Sequence, residues 1–145
     1  MPSFRETIEI EADTESTWRV LGDLASVQHW VPGVVAVELT ESGRVCTFAD
    51  GHLQHEAISD YSPEQRSFKY AIDGGLPVRD NRGSFAVQDR DDGSLVVWES
   101  SFEPLDQGAA DELARMWRGA LPLVLGNLKQ LVEKTALKGG RAPSP

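Results

Sequence analysis

Hydrophobic residues recur every three or four positions along the last part of the chain, from Ala109 to Thr135. This spacing places them on one face of a helix. The apolar positions are Leu113, Trp117, Ala120, Val124, Leu128 and Leu131. Pro122 lies inside the pattern, where it removes a backbone donor and bends a helix. The sequence therefore predicts a long, kinked amphipathic helix.

The pattern before that helix is one of short strands separated by tight turns. The turns contain Gly, Pro, Asp or Asn and are short enough to join antiparallel neighbours. Six strands are predicted, at Val34–Thr40, Arg44–Ala49, His52–Tyr61, Ser67–Ile72, Gly83–Gln88 and Ser94–Glu103. Residues 73–81 are predicted to form a loop. These six strands are expected to form an antiparallel meander.

The N-terminal part adds one more strand and two short helices. Polar and apolar residues alternate over Phe4–Glu11, which is typical of a half-buried strand. Short helices are predicted over Glu15–Leu21 and Leu24–Trp30, and Pro32 and Gly33 stop the second one. The order is strand, two helices, six strands and a long helix. It predicts an α+β fold in which the long helix packs inside a curved, seven-stranded antiparallel sheet.

Length and composition indicate one folded domain. The chain has 145 residues, of which 40% are hydrophobic and 26% are charged, as in a globular protein with a full core. We predict a single domain over residues 1–137. Residues 138–145 have nothing to bury and are expected to form a flexible tail.

The charge balance and the scarcity of cysteine exclude several kinds of partner. The net charge of -9 repels phosphate backbones, so nucleic acid is not an expected partner. No apolar run approaches the roughly 20 residues of a membrane span, and the N-terminus lacks a secretion signal, so a cytoplasmic location is expected. Cys46 is the one cysteine, so no internal disulfide, no metal site and no cofactor are expected.

Four segments carry a resemblance to a known family. They are Ala12–Trp18, His29–Val34, Gly75–Gly83 and Val97–Phe102. With the order of elements, they resemble the helix-grip fold of the START-like (SRPBCC) superfamily, and within it the polyketide cyclase/dehydrase and lipid-transport branch. The resemblance covers about residues 3 to 135. It implies a hydrophobic cavity between sheet and long helix, while the motifs shape that scaffold more than they specify an activity.

Alternation along the strands suggests which residues face such a cavity. The expected inward residues are Phe68, Tyr70, Ile72, Phe85, Val87, Val96, Trp98, Ser100 and Phe102. The strand His52–Tyr61 has no cleanly apolar face. The resemblance favours the inward face that holds Gln54, Glu56 and Ile58, although a slip of one residue would reverse the assignment.

Three residues are candidates for proton transfer: Glu56, Tyr70 and His29. Burial of Glu56 would raise its pKa, as in a general acid or base. Alternatively, Glu56 is paired with an arginine or a hydroxyl. Tyr70 either donates to a ligand carbonyl or is a core aromatic. His29 either moves protons at the cavity mouth or lies on the surface.

Further residues are candidates for ligand contact. They are Trp30, Ile58, Phe68, Arg82, Phe85, Trp98, Phe102, Trp117, Val124 and Asn127. Arg82 can bind a carboxylate or phenolate. Alternatively, at least one of Arg79 and Arg82 forms a surface ion pair with Asp80 or Asp73. The amide of Asn127 would need a partner if it is buried, and a ligand or water can supply one.

Three functions remain open at this point. In the first, the protein folds or dehydrates a polyketide-like substrate by acid/base chemistry, with orientation supplied by confinement. In the second, it is a non-catalytic carrier or sensor of a lipid, isoprenoid or polyketide. A third is a protein-binding module, which a collapsed and dry cavity would favour. The expected partner is a hydrophobic small molecule, and a homodimer is compatible with the sequence.

Overall fold

The computed structural model describes residues 3–73, 78–104 and 106–140, with the backbone alone described for residues 78, 79, 104, 107, 109, 110, 113, 117 and 137–140. The strands are β1 (Ser3–Ile10), β2 (Val34–Leu39), β3 (Gly43–Phe48), β4 (Leu53–Ser62), β5 (Ser67–Asp73), β6 (Val78–Arg90) and β7 (Gly93–Pro104). The helices are α1 (Thr14–Leu21), a 3₁₀ helix (Leu24–His29) and α2 (Gln107–Gly140). This order confirms the predicted α+β fold.

All seven strands join one antiparallel sheet in the order β1-β7-β6-β5-β4-β3-β2. Strands β2 to β7 follow one another as a meander. β1 pairs along its whole length with β7, from Ser3 opposite Ser101 to Ile10 opposite Ser94. The first and last strands of the chain are therefore neighbours, which brings α1 close to the start of β7.

The short helices are fixed by side-chain caps and hydroxyl bridges. The Asp13 carboxylate accepts a hydrogen bond from the Ser16 amide at 2.7 Å, and this bond lowers the pKa of Asp13. The hydroxyls of Thr17 and Ser94 lie 2.7 Å apart and join α1 to β7. Ser26 donates to the carbonyl of Val20 at 2.6 Å and accepts from the Trp30 indole at 3.1 Å. These bonds hold the 3₁₀ helix against α1.

Helix α2 packs its apolar face against β1, β7 and α1. The buried residues of that face are Leu121, Val124, Leu125, Leu128 and Val132. They meet a core that includes Phe68, Phe85 and Val96. We call the side of the sheet that faces α2 the inner face. Among the described residues, no helix is both long and apolar enough to cross a membrane.

Two boundaries differ from the predictions. β6 begins at Val78, inside the segment 73–81 that the sequence predicts as a loop, because Asn81 pairs with both Ile72 and Phe102. Helix α2 extends beyond the predicted Ala109–Thr135 at both ends and reaches Gly140. Residues 141–145 of the predicted tail and residues 75–77 of the Gly75–Gly83 motif lie outside the described residues.

Candidate functional site

A cavity of about 430 Å³ lies between the inner face of the sheet, the 3₁₀ helix and α2. Its walls are mainly aromatic and aliphatic, with Trp30, Phe48, Phe85, Trp98 and Val124 among the lining residues. Met116 and Leu123 of α2 also line it while each is 58% exposed. The cavity therefore opens to solvent beside α2.

A buried ion pair forms part of the cavity wall. The Glu56 carboxylate on β4 lies directly opposite Arg44 on β3, and the two side chains are 5% and 4% exposed. Glu56 Oε1 accepts from Arg44 Nε at 2.9 Å and from a terminal guanidinium nitrogen at 2.8 Å. Glu56 Oε2 accepts from Gln54 Nε2 at 2.9 Å and from the Cys46 thiol at 3.7 Å. Each of these four contacts brings a hydrogen-bond donor to the carboxylate.

Arg44 also ties the cavity wall to the 3₁₀ helix. Its second terminal nitrogen donates to the carbonyl of Leu24 at 2.8 Å, and its guanidinium carbon lies 6.0 Å from the centre of the Phe68 ring. Three guanidinium nitrogens are therefore engaged within the protein. The neighbouring Cys46 thiol stays protonated at neutral pH, since burial raises its pKa to about 11.

A second polar group on the inner face is the phenol of Tyr70. It accepts a hydrogen bond from the Trp98 indole at 2.7 Å. Burial raises the pKa of Tyr70 to about 12, and hydrogen bonds with Trp98 and Ser100 oppose part of the rise. The phenol lies across Gly83 of β6, where an added Cβ would come within 2.3 Å of its oxygen. Gly83 is therefore required for this position of the ring.

Asn81 completes the polar part of the inner face. It lies two residues before Gly83 on β6, lines the cavity and is 2% exposed. Its Oδ1 atom is buried and lacks a hydrogen-bond partner within the described structure. The same part of the chain holds no group of three or more His, Cys, Asp or Glu side chains that could bind a metal ion.

Residues 1–133 match the model of a family described as polyketide cyclase/dehydrase and lipid transport. The chain belongs to this family. The protein XoxI from Bacillus cereus is 25% identical, with a TM-score of 0.81 over 91% of this chain and 96% of that one. No curated protein sequence matches the chain.

Structures of more distantly related proteins share the helix-grip fold of this chain. The Zhui aromatase/cyclase from Streptomyces sp. R1128 is 19% identical, with a TM-score of 0.75 over 98% of this chain and 97% of that one. Norcoclaurine synthase from Thalictrum flavum is 17% identical, with a TM-score of 0.70 over 92% and 95% of the two chains. At these identities the likeness is one of fold.

Six of the residues proposed from the sequence line the cavity of this family member. They are Trp30, Glu56, Tyr70, Phe85, Trp98 and Val124. Gln54 lines it as well, so the face of β4 that holds Glu56 is the inner one. Glu56 forms the arginine pair that the sequence analysis left as an alternative to a raised pKa.

The remaining proposed residues lie elsewhere. Phe68 and Phe102 are fully buried in the core, and Ile58 is half-buried against it without lining the cavity. His29 is exposed at the end of the 3₁₀ helix. The side chain of Trp117 lies outside the described residues.

Arg82 and Asn127 make contacts of their own away from the cavity lining. Arg82 donates to the Asp80 carboxylate at 2.8 Å, which is the surface pair that the sequence analysis considered. It lies in a shallow depression together with Arg5 and Glu99, apart from the cavity. Asn127 donates from α2 to the carbonyl of Trp30 at 3.3 Å. This amide therefore has a protein partner.

Several cavity residues were not predicted from the sequence, chiefly Arg44, Cys46, Asn81 and Met116. Alternation along β3 carries a signal for two of them, because Arg44, Cys46 and Phe48 share one face. A cysteine and a phenylalanine on one face indicate that this face is buried. Arg44 lies on the same face next to the turn, so the same signal applies to it. Asn81 gave no such signal, since it lies among Arg79, Asp80 and Arg82.

Proposed function

We propose that this protein binds a small, mostly apolar molecule in its internal cavity and carries or senses it without changing it chemically. The volume of about 430 Å³ supports this, because ligand pockets measure about 300–1,000 Å³ and are lined mainly by apolar side chains. The cavity opens beside Met116 and Leu123, so a ligand has a route of entry. The family description includes lipid transport.

The hydrogen-bond partners and the pKa values of the polar groups in the cavity favour a carrier over an enzyme. Glu56 has donors on both oxygens, and Arg44 is occupied by Glu56 and by the carbonyl of Leu24. The pKa of about 12 keeps the Tyr70 phenol protonated at neutral pH. A general acid or base works best when its pKa is near the working pH. A carrier needs no such group, and an apolar wall with satisfied polar residues suits it.

Cyclisation or dehydration of a polyketide-like chain is the second candidate. The neutral phenol of Tyr70 favours it, because this group lines the cavity and can donate a hydrogen bond to a substrate carbonyl. In an aldol closure, an α-carbon bonds to a carbonyl carbon and its proton ends on the carbonyl oxygen. Loss of water then gives the double bond. The cavity would contribute by orienting the chain, with Glu56 as the remaining candidate for proton transfer that lines it.

Native mass spectrometry of freshly purified protein tests the first proposal. We expect one ligand per chain, released unchanged on denaturation. Ala120 lines the cavity from α2, so Ala120→Phe should fill the space and lower ligand occupancy at least tenfold. Ala36→Phe is the matched control, because Ala36 is exposed on β2 and does not line the cavity.

Incubation with a poly-β-ketone separates the two candidates. Recovery of the unchanged compound supports carriage. A cyclised product that forms with the parent protein, and fails to form with Glu56→Gln or Tyr70→Phe, would replace the carrier proposal with the enzymatic one. Equal ligand occupancy in Ala120→Phe and the parent protein would mean that the ligand does not lie in this cavity.

A further inference from the structure

The carboxamide of Asn81 is the unexplained polar group of the cavity. Asn81 lines the cavity, yet its Oδ1 atom is buried and without a hydrogen-bond partner within the described structure. Buried side-chain oxygens of proteins nearly always have a partner. Leaving such an oxygen without a partner lowers the free energy of unfolding. We therefore look for a hydrogen-bond donor that comes from outside the protein.

The position of Asn81 on β6 places it beside two other polar residues of the cavity wall. Asn81 lies between Ile72 of β5 and Phe102 of β7, and the next inner position on β6 is Gly83. The phenol of Tyr70 lies over Gly83, and Ser100 pairs with Gly83 from β7. Asn81, Tyr70 and Ser100 all line the cavity, so three neighbouring strands place a second polar patch on the wall, on strands other than β3 and β4 that hold the Arg44–Glu56 pair.

The other members of this patch are already engaged. The Tyr70 oxygen accepts from Trp98, and Tyr70 and Ser100 are hydrogen bonded to each other. Asn81 Oδ1 remains as an acceptor. Rotation about χ2 of asparagine is soft, so the carboxamide can turn to meet a group in the cavity at little cost. A ligand that satisfies it must supply an O–H or N–H donor.

We propose that Asn81 is a specificity-determining residue that recognises a hydroxyl group of the ligand. The ligand O–H donates to Asn81 Oδ1, and the apolar body of the ligand packs against Ile72, Phe85 and Trp98. This rests on the proposed function, since it requires a ligand in the same cavity. It favours phenols and alcohols over their ethers and parent hydrocarbons, because only a ligand with a donor satisfies the unpaired oxygen.

Three aromatic probes of similar shape test the proposal by calorimetric titration: 2-naphthol, 2-methoxynaphthalene and naphthalene. Only the first can donate a hydrogen bond. We expect Asn81→Leu to lower the affinity for 2-naphthol about three- to tenfold, which is the range of one hydrogen bond, and to leave the affinities for the other two unchanged. Ile72→Val is the matched control on the neighbouring strand, and it should change all three affinities alike.

The outcomes separate this inference from the proposed function. If Asn81→Leu weakens all three probes equally, or weakens the ether as much as the phenol, hydroxyl recognition by Asn81 is wrong while ligand binding in the cavity stands. If no probe binds the parent protein, both proposals fail. If Asn81→Leu does not fold, the parent protein alone provides the test. We then expect 2-naphthol to bind more tightly than naphthalene, and equal affinities would overturn the inference.

Discussion

Glu56 shows how one buried side chain determines the chemistry of the cavity wall. Two of its four donors come from Arg44 directly opposite on β3, and both side chains are almost fully buried. Removal of two charges from water is costly, and hydrogen bonds to both partners are needed to offset that cost. The pair therefore contributes more to the position of β3, β4 and the 3₁₀ helix than to the overall free energy of unfolding.

Substitution of Arg44 and Glu56, singly and together, tests this account. We expect Arg44→Met to lower the free energy of unfolding by about 3–5 kcal/mol, because it leaves the Glu56 carboxylate buried without a cation. The double variant Arg44→Met/Glu56→Leu should lose less than Arg44→Met alone, since no buried charge remains. Urea unfolding monitored by far-UV circular dichroism measures both. Additive losses in the double variant would show that the two residues act independently.

Of the two residues in this buried ion pair, Glu56 was predicted from the sequence to face the cavity and Arg44 was not. The inner position of Glu56 follows from the resemblance to the family and not from alternation alone, because β4 has no cleanly apolar face. Arg44 was not proposed, since an arginine beside a turn is usually exposed. Asn81 Oδ1 was not predictable at all. Its lack of a partner depends on where three strands place their side chains, and no local pattern encodes that.

The long helix α2 joins the core to the cavity mouth. Its C-terminal half buries Leu125, Leu128 and Val132, while residues on either side of Pro122 line the cavity. The helix is long and bent, and Pro122 cannot donate to the carbonyl of residue 118. Pro122 itself is exposed. Its effect on the cavity therefore acts through the direction of the helix and not through contact with a ligand.

Replacement of Pro122 by alanine should affect ligand binding more than folding. Alanine restores the helix donor and favours a straighter helix, so we expect the thermal midpoint to stay the same or rise. The lining residues before and after position 122 would then move relative to each other, and ligand affinity should fall at least threefold. Titration of Pro122→Ala with 2-naphthol, beside thermal unfolding, measures the two effects.

Pro63→Ala is the control for this experiment. Pro63 is exposed in the connection between β4 and β5 and does not line the cavity, so its replacement should leave affinity unchanged. If Pro122→Ala also keeps the parent affinity, the proline is a tolerated feature of the helix and does not shape the cavity.

The strands and helices were easier to predict from the sequence than the residues at which they begin and end. Turn residues between the strands, alternation along β1 and a period of 3.6 residues along α2 predicted the seven strands, the long helix and the order of elements. The start of β6 was missed because Arg79, Asp80, Asn81 and Arg82 are all polar, so alternation is invisible there. Strand pairing with Ile72 and Phe102 outweighs this local composition. The sequence predicted a cavity only through the resemblance, since its volume depends on how Trp30, Phe85 and Trp98 pack across the fold.

For the whole molecule, two buried groups on the cavity wall link stability to alkaline pH. Burial raises the pKa of the Cys46 thiol from 9.0 to about 11 and that of the Tyr70 phenol from 10.0 to about 12. For the thiol, the neighbouring Glu56 charge adds to the rise. Both groups are therefore protonated in the folded protein over a pH range in which the unfolded chain has lost those protons.

The sign of the effect follows from proton counting. Below pH 9 both states keep the two protons, and stability does not depend on these groups. As the pH rises from 9 to 12, the unfolded chain binds fewer protons than the folded protein, so the free energy of unfolding falls. A shift of one pKa unit corresponds to about 1.4 kcal/mol, so each group should account for a loss of about 2–3 kcal/mol.

Urea unfolding between pH 8 and 11.5, in the presence of a reductant, measures this loss directly. We expect Tyr70→Phe to be less stable than the parent protein at pH 8, because it loses the hydrogen bond from Trp98, and the difference to shrink above pH 10. Cys46→Ala should flatten the decline between pH 9 and 11 in the same way. Tyr61→Phe is the control, since Tyr61 is 44% exposed and should remove less of the decline. A pH profile that stays parallel in all four proteins would mean that neither Cys46 nor Tyr70 keeps its proton through folding, and that the cavity wall is open to water at both positions.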